Sequence, residues 1–285
     1  MLSRLLQRVQ AASRRPDHPC PMAEPGPPSS EFRARARGCL LGLMVGDALG
    51  AAVEGFPPEE IRQLAQKHWG CSTVEGFIPA VPMGTFVPGK EPGTYRPAIN
   101  VSDVNFVPTG PPANENTARE CARCGMYTDD TNAALAIGAS IAERGRADAA
   151  HCARTCAELF RDNEAYRGCP PTAKKVMAAT LRGLSSEETG LPPYFPYPGG
   201  SFANGGAMRI SPLAIAYRQA DEDVLRAAVE AAVRASHRHP EAVDFAVVQA
   251  AAVQHALRVD LDEFDGPTLL DWLAGLCESE AMRKV

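Results

Sequence analysis

No stretch of this sequence is both long and apolar enough to cross a bilayer. The most apolar run, from Gly38 to Val53, covers about 16 residues against roughly 20 needed for a spanning helix, and Asp47 interrupts it. A basic excess is missing as well, since 29 Lys and Arg stand against 34 Asp and Glu, a net charge of −5. Nucleic-acid binding usually leaves a basic footprint, so that function class is set aside. No secretory signal is present, and the nine cysteines are odd in number and scattered. They are expected to be mostly reduced thiols in an intracellular, cytoplasmic protein. Alternating strand patterns are scarce and β-branched runs are short, which leaves an all-α, compact multi-helix bundle as the expected fold.

The beginning of the chain has a character of its own. Leu2, Leu5, Leu6 and Val9 share a helical face, Arg4, Arg8, Arg14 and Arg15 accompany them, and no acid precedes Asp17. That is the composition of a mitochondrial transit peptide, against the plainer reading of a disordered extension with Met22 as an alternative start. Residues 16–30 are rich in proline, glycine and serine, so residues 1–30 are assigned as a flexible leader and 31–285 as one helical domain. Within it, 55–126 reads as a loop-rich insert with one short helix near Glu59–Lys67, and 79–116 is expected to be protease-sensitive.

Helical patterns run over Glu31–Glu54, Asn132–Arg144, Asp148–Arg161, Thr172–Leu184, Met208–Tyr217, Asp221–Ser236, Pro240–Arg258 and Gly266–Arg283. In the first, Gly38, Gly42, Gly46 and Gly50 form one stripe, each costing up to about 1 kcal/mol of helix stability relative to alanine. Such a stripe predicts a buried central helix with another backbone packed against it. Along 240–258, Val243, Val247, Ala250 and Leu257 fall on one face and predict core.

Four segments can carry chemistry. Thr128-Asp129-Asp130-Thr131 stands at a helix start. It suits N-capping, and it equally offers hard oxygen ligands for Mg²⁺, which would relieve the repulsion between adjacent carboxylates. Asp47 lies in an otherwise apolar helix and needs a partner, because an unpaired buried carboxylate is costly, and Glu54 follows at that helix's end. Gly199 to Arg209 holds two glycine pairs around Ser201 and Asn204, where backbone N–H groups can approach a phosphate, though a polar turn would look similar. Ser236-His237-Arg238-His239-Pro240 separates two helices and can lend an imidazole to a pocket. A zinc site joining these histidines to Cys121 and Cys124 has only a single CxxC in its favour.

In order, RGCLLGLMVGDALGAAVEGF, YTDDTNAALAIGASI, GSFANGGAMRISPLAIAY and SHRHPEAVDFAVVQAAAV resemble the ADP-ribosylglycohydrolase family over roughly residues 35–258. The resemblance implies an all-helical fold and two Mg²⁺ ions, with Thr128, Asp129 and Asp130 as ligands and Glu54 as a mobile glutamate that guards and touches the metal. It implies that Asp130 and Glu54 are catalytic. It further implies that Asp129, Gly199, Gly200, Ser201, Phe202, Ala203, Asn204, Gly205 and His237 hold ADP-ribose, delivered on a modified protein or in a small molecule. Phe202 stands where similar members have tyrosine and Ala203 where they have glycine. The family's second metal motif, Asp-x-Asp-Thr/Ser, is not found after residue 258. Asp260, Asp262 and Asp265 lack its hydroxyl and read as a solvated turn. The expectation is a chain ending inside the domain, or else a catalytically inactive ADP-ribose-binding or structural relative.

Overall fold

The computed structural model describes residues 29–50, 57–74, 76, 81–82, 121–122, 127–161, 170–195 and 197–284. Residues 1–28, Glu54 and nearly all of 79–116 lie outside that set, so the expectations of a leader, of a metal-guarding glutamate and of a protease-sensitive stretch fall outside the described residues. The chain divides into two compact units. One comprises Met1–Leu41, Ala133–Asp162 and Thr172–Val285, and the other Gly42–Asn132 and Asn163–Pro171.

The described residues are mostly helical. Helix α1 is Ser30–Gly50, α2 Pro58–Trp69, α3 Asp129–Arg144, α4 Ala149–Arg161, α5 Pro171–Leu181 and α6 Ser186–Thr189. A 3₁₀ turn, Asn204–Arg209, precedes α7 at Ser211–Ala216, and α8 is Glu222–Val233. Helix α9 is Pro240–Ala256, a 3₁₀ turn covers Leu261–Glu263, and α10 (Gly266–Gly275) and α11 (Glu280–Arg283) follow. In the second unit Val81–Pro82 (β1) pairs antiparallel with Cys121–Ala122 (β2), the one exception to an all-α architecture among the described residues.

The core of the first unit surrounds α9. Val243, Val247, Ala250 and Leu257 are buried, as their spacing predicts, and Ala246 and Ala251 are buried beside them. These small residues let the 3₁₀ turn Asn204–Arg209, α7, α8 and α10 approach α9 closely, with Ile210, Leu213, Leu225, Val229 and Val233 filling the gaps. Burying each of the larger side chains contributes about 1.5–3 kcal/mol. Helix α8 starts where the Asp221 carboxylate accepts the Val224 N–H at 2.9 Å. Helix α9 starts at Pro240, whose missing N–H costs nothing at that position.

Two expectations need correction. Among the described residues nothing packs on the glycine stripe of α1, where a Cβ added at Gly38, Gly42, Gly46 or Gly50 meets no atom within 4 Å. Leu40, Leu41 and Val45 are exposed, and Ala48 is the helix's one buried residue. The face that docks is instead Phe32, Ala36 and Cys39, spaced i, i+4, i+7, which rests against the first unit's core at a different angle from the glycines. The second correction concerns Gly266–Arg283, which breaks into α10 and α11. Asp244, a fully buried carboxylate on α9, accepts the N–H groups of Glu278 (3.1 Å) and Ser279 (2.7 Å) and the Ser279 hydroxyl (2.6 Å), pulling that backbone out of helix. Arg226 donates to the same carboxylate at 2.9 Å.

Among the described residues no helix is long and apolar enough to cross a membrane. Cys39, Cys71, Cys152, Cys156 and Cys277 are free thiols. The acidic turn 260–265 is spent locally, with Asp260 paired to Arg35 and Asp265 accepting from the Thr268 hydroxyl at 2.6 Å.

Candidate functional site

In the second unit the first turn of α3 is held by a carboxylate from another helix. Asp47 accepts the Thr128 N–H at 2.9 and 3.0 Å and the Thr131 N–H at 3.1 Å. It also accepts the two hydroxyls, Thr128 Oγ1 at 2.7 Å and Thr131 Oγ1 at 2.6 Å. Four N–H groups are orphaned at any helix start, and here a remote aspartate does the work of a local cap. Capping therefore explains Asp47, Thr128 and Thr131, but it leaves Asp130 over.

Asp130 makes an arrangement that capping does not need. Its Oδ2 is 2.9 Å from Thr128 Oγ1, the same hydroxyl that lies 2.7 Å from Asp47. One hydroxyl proton cannot serve two carboxylates, so one contact sets a lone pair against a lone pair. Burial, and then the Asp47 charge, push the Asp130 carboxyl above its ordinary range, against the opposing pull of the Thr128 hydroxyl and its own backbone N–H. A hard cation beside Thr128 and Asp130 would remove that conflict, and the donors are all oxygen, as Mg²⁺ prefers. The fit is partial, because among the described residues no group of three or more His, Cys, Asp or Glu is gathered to hold a metal. Asp129 opens α3 beside Asp130, and both carboxylates stand in its first turn.

The glycine-rich loop belongs to the first unit, where it packs on the turn after α8. Gly200 has φ +84°, a region that strains any side chain, and a Cβ there would lie 3.1 Å from both Arg238 Cβ and the Gly190 carbonyl. A Cβ on Gly205 would stand 2.7 Å from His237 Nε2 and 2.8 Å from its Cε1. The glycines are thus required first by intramolecular packing, a reason invisible in their spacing. The buried Ser201 hydroxyl accepts the Ala203 N–H at 3.2 Å, which folds the loop back on itself. Phe202 stands exposed, tilted against Tyr197 at 5.4 Å between ring centroids and edge-on to His239 at 5.9 Å. Ala203 and Asn204 are exposed at the rim, and Gly199 lies against His239.

Beneath the loop sits a residue that the sequence reading passed over. Arg209 is buried and donates from Nη2 to Ser236 Oγ at 2.8 Å, while its Nε has no hydrogen-bond partner among the described residues. Ser236 Oγ lies 2.8 Å from His237 Nδ1. Burial, with the Arg209 charge added to it, pushes His237 down to about 3. The signal was available, for a cation between Gly-Gly-Ala-Met and Ile-Ser-Pro-Leu poses the same burial problem as Asp47.

The sequence-predicted residues thus gather into two sets. Asp47, Thr128, Asp130 and Thr131 meet in the second unit, and Gly199–Gly206 meet His237 and His239 in the first. The family profile described as ADP-ribosylglycohydrolase matches residues 28–285. Among curated proteins, the chain is 29% identical over 206 residues to ADP-ribosyl-[dinitrogen reductase] glycohydrolase of Rhodospirillum rubrum, covering 72% of this chain and 52% of that one. It is 28% identical over 226 residues to ADP-ribosylhydrolase ARH3 of Gallus gallus, covering 79% and 51%. The chain spans about half the length of these relatives. A solved structure titled ADP-ribosylglycohydrolase-related protein complex superposes with a TM-score of 0.53 at 25% identity, over 90% of this chain and 67% of the other.

Proposed function

Because this chain belongs to the ADP-ribosylglycohydrolase family, we propose that it binds ADP-ribose and hydrolyses ADP-ribosyl linkages with the aid of Mg²⁺. The observation that carries the reading is the Thr128 hydroxyl caught between the carboxylates of Asp47 and Asp130. A purely structural cap has no use for the second carboxylate. Thr128, Asp129 and Asp130, with Glu54, are the residues that would hold the metal. When bound, Mg²⁺ polarises substrate oxygens and lowers the pKa of a coordinated water.

The remaining work falls to the chain itself. Cleavage of the bond at the anomeric carbon develops oxocarbenium character, which a nearby carboxylate stabilises. The Asp130 carboxyl, raised above its ordinary range by burial and by Asp47, is the group proposed to accept a proton from the attacking water, with Glu54 assisting. The Gly199–Gly205 loop would meet the diphosphate with backbone N–H groups other than those of Gly200 and Ala203, which the Tyr197 carbonyl and Ser201 Oγ accept, and His237 would donate to the same ligand. Phe202 and Tyr197 offer a ring surface at the loop's rim, which keeps ring contacts with the ligand while the hydroxyl of a tyrosine at 202 is lost. The substrate is an ADP-ribosylated protein or an ADP-ribose-containing small molecule.

A second reading is ADP-ribose binding without turnover. One experiment separates the two. ADP-ribose release from a modified protein is followed with Mg²⁺ and with EDTA, for the wild type and Asp129→Ala, alongside melting curves with ADP-ribose. Mg²⁺-dependent release that Asp129→Ala abolishes supports hydrolysis. A rise in Tm without release supports binding alone. No rise at millimolar ADP-ribose removes the pocket assignment, since a ligand at a hundredfold excess over Kd stabilises by about 2.7 kcal/mol. Asn204→Asp, which sets a carboxylate near the diphosphate, should reduce the rise.

A further inference from the structure

We propose that Arg209 and Ser236 are positioning residues that hold His237 as a neutral imidazole protonated on Nε2, so that it meets its ligand as a fixed hydrogen-bond donor and not as a base. The argument follows the protons. A guanidinium only donates, so the 2.8 Å contact from Arg209 Nη2 makes Ser236 Oγ an acceptor. Ser236 then has one proton to give. Its two candidate acceptors are His237 Nδ1 at 2.8 Å and the Val233 carbonyl at 3.4 Å. The first distance is near the optimum for a hydroxyl donor and the second is at the limit of a hydrogen bond, so the proton goes to Nδ1. With Nδ1 accepting, the ring proton of the neutral imidazole resides on Nε2.

Geometry directs that proton toward the loop. Nε2 lies 2.7 Å from where a Cβ of residue 205 would stand, so the absence of a side chain at Gly205 is what leaves the nitrogen uncovered. Among the described residues the His237 imidazole has no hydrogen-bond partner besides Ser236. A second effect acts on the ring, since burial, and then the Arg209 charge, push His237 down to about 3. The imidazole therefore stays neutral across physiological pH. Arg209 itself is a buried cation with no ion pair among the described residues, an expensive arrangement.

The identity of the ligand rests on the ADP-ribose reading, whereas the tautomer does not, and the test separates them. The ring nitrogens of His237 are read by ¹⁵N NMR in the ligand-free protein, assigned by His237→Asn, with ADP-ribose affinity measured in parallel. The wild type should show Nε2 protonated and Nδ1 unprotonated, with no titration between pH 5 and 8. Ser236→Ala should release the tautomer into a mixture and weaken ADP-ribose about tenfold, the loss of one hydrogen bond to a charged group. Ser236→Thr should restore both. Arg209→Met should raise the His237 pKa only in part, because burial is the larger cause of its lowering, and should it fail to fold, the Ser236 pair still decides the matter. A proton on Nδ1 in the wild type, or an unchanged tautomer in Ser236→Ala, overturns the proposal. If the tautomer behaves as stated but ADP-ribose does not bind, the positioning role stands and the ligand assignment falls.

Discussion

Replacing Asp130 by asparagine should make the metal-free protein more stable. The carboxylates of Asp47 and Asp130 contact one hydroxyl at 2.7 and 2.9 Å. Their charges are therefore on the order of 5 Å apart, and at an effective dielectric of about 20 they repel by about 3 kcal/mol. Both residues are half-buried, so solvent screening reduces this to about 2 kcal/mol. Against it stands the favourable placement of a carboxylate in the first turn of α3, about 0.3–1 kcal/mol. Asparagine keeps an acceptor for the Thr128 hydroxyl while shedding the charge. The net gain of about 1–2 kcal/mol corresponds to roughly 2–6 °C in Tm for a domain of this size. Asp47→Asn should do the opposite, since Asp47 satisfies the N–H and hydroxyl groups of both Thr128 and Thr131. The assay is thermal unfolding in EDTA and again with millimolar Mg²⁺. Wild type should gain stability from Mg²⁺ and Asp130→Asn should not. A fall in Tm for Asp130→Asn in EDTA would show that its carboxylate is structural and would refute the reasoning.

Three further outcomes follow from single contacts. Gly205→Ala should displace the His237 ring, because the new Cβ would stand 2.7 Å from Nε2, and melting curves should lose most of the ADP-ribose-induced rise. Asp244→Ala should cost about 3 kcal/mol by leaving the Ser279 donors unpaired and Arg226 with only Glu278 and the Leu276 carbonyl, with hydrogen exchange rising first at 278–283. Burial works to raise the Asp244 carboxyl, but its bonds from Ser279, Glu278 and Arg226 win and hold it below its usual range. Its contribution is therefore complete above about pH 4 and lost as pH falls through the lowered folded value, which acid unfolding of wild type against Asp244→Asn will show. Cys156, buried and pushed up to about 11, should resist alkylation at pH 8 until denaturant is added, whereas Cys71 should react in the native protein.

The all-helical class, most helix bounds and the four motifs were legible in the sequence because they are local. Helical period, proline at first turns and the run Thr128–Thr131 are properties of neighbouring residues. Asp47 was also legible as a problem, since an acid in an apolar helix must find a partner. Asp244 on α9 poses the same problem and has the same solution. Each reaches a second helix and takes its orphaned N–H groups, Thr128 and Thr131 for Asp47, Glu278 and Ser279 for Asp244. What periodicity cannot supply is the partner's address, 81 and 35 residues away along the chain.

Other features were decided only by tertiary packing. The glycine stripe of α1 has a clear period, but which azimuth of a helix docks depends on what the rest of the chain offers, and Phe32, Ala36 and Cys39 dock instead. The glycines of 199–205 suggest room for a ligand, yet their first constraint is the backbone and imidazole of 237–239 pressed against them. The state of His237 is the furthest from the sequence. It depends on a buried arginine 28 residues earlier, whose pairing with Ser236 (27 residues apart) exists only once the 3₁₀ turn and the end of α8 are packed together. Residue types set which protons exist, and the fold alone determines which atoms they face.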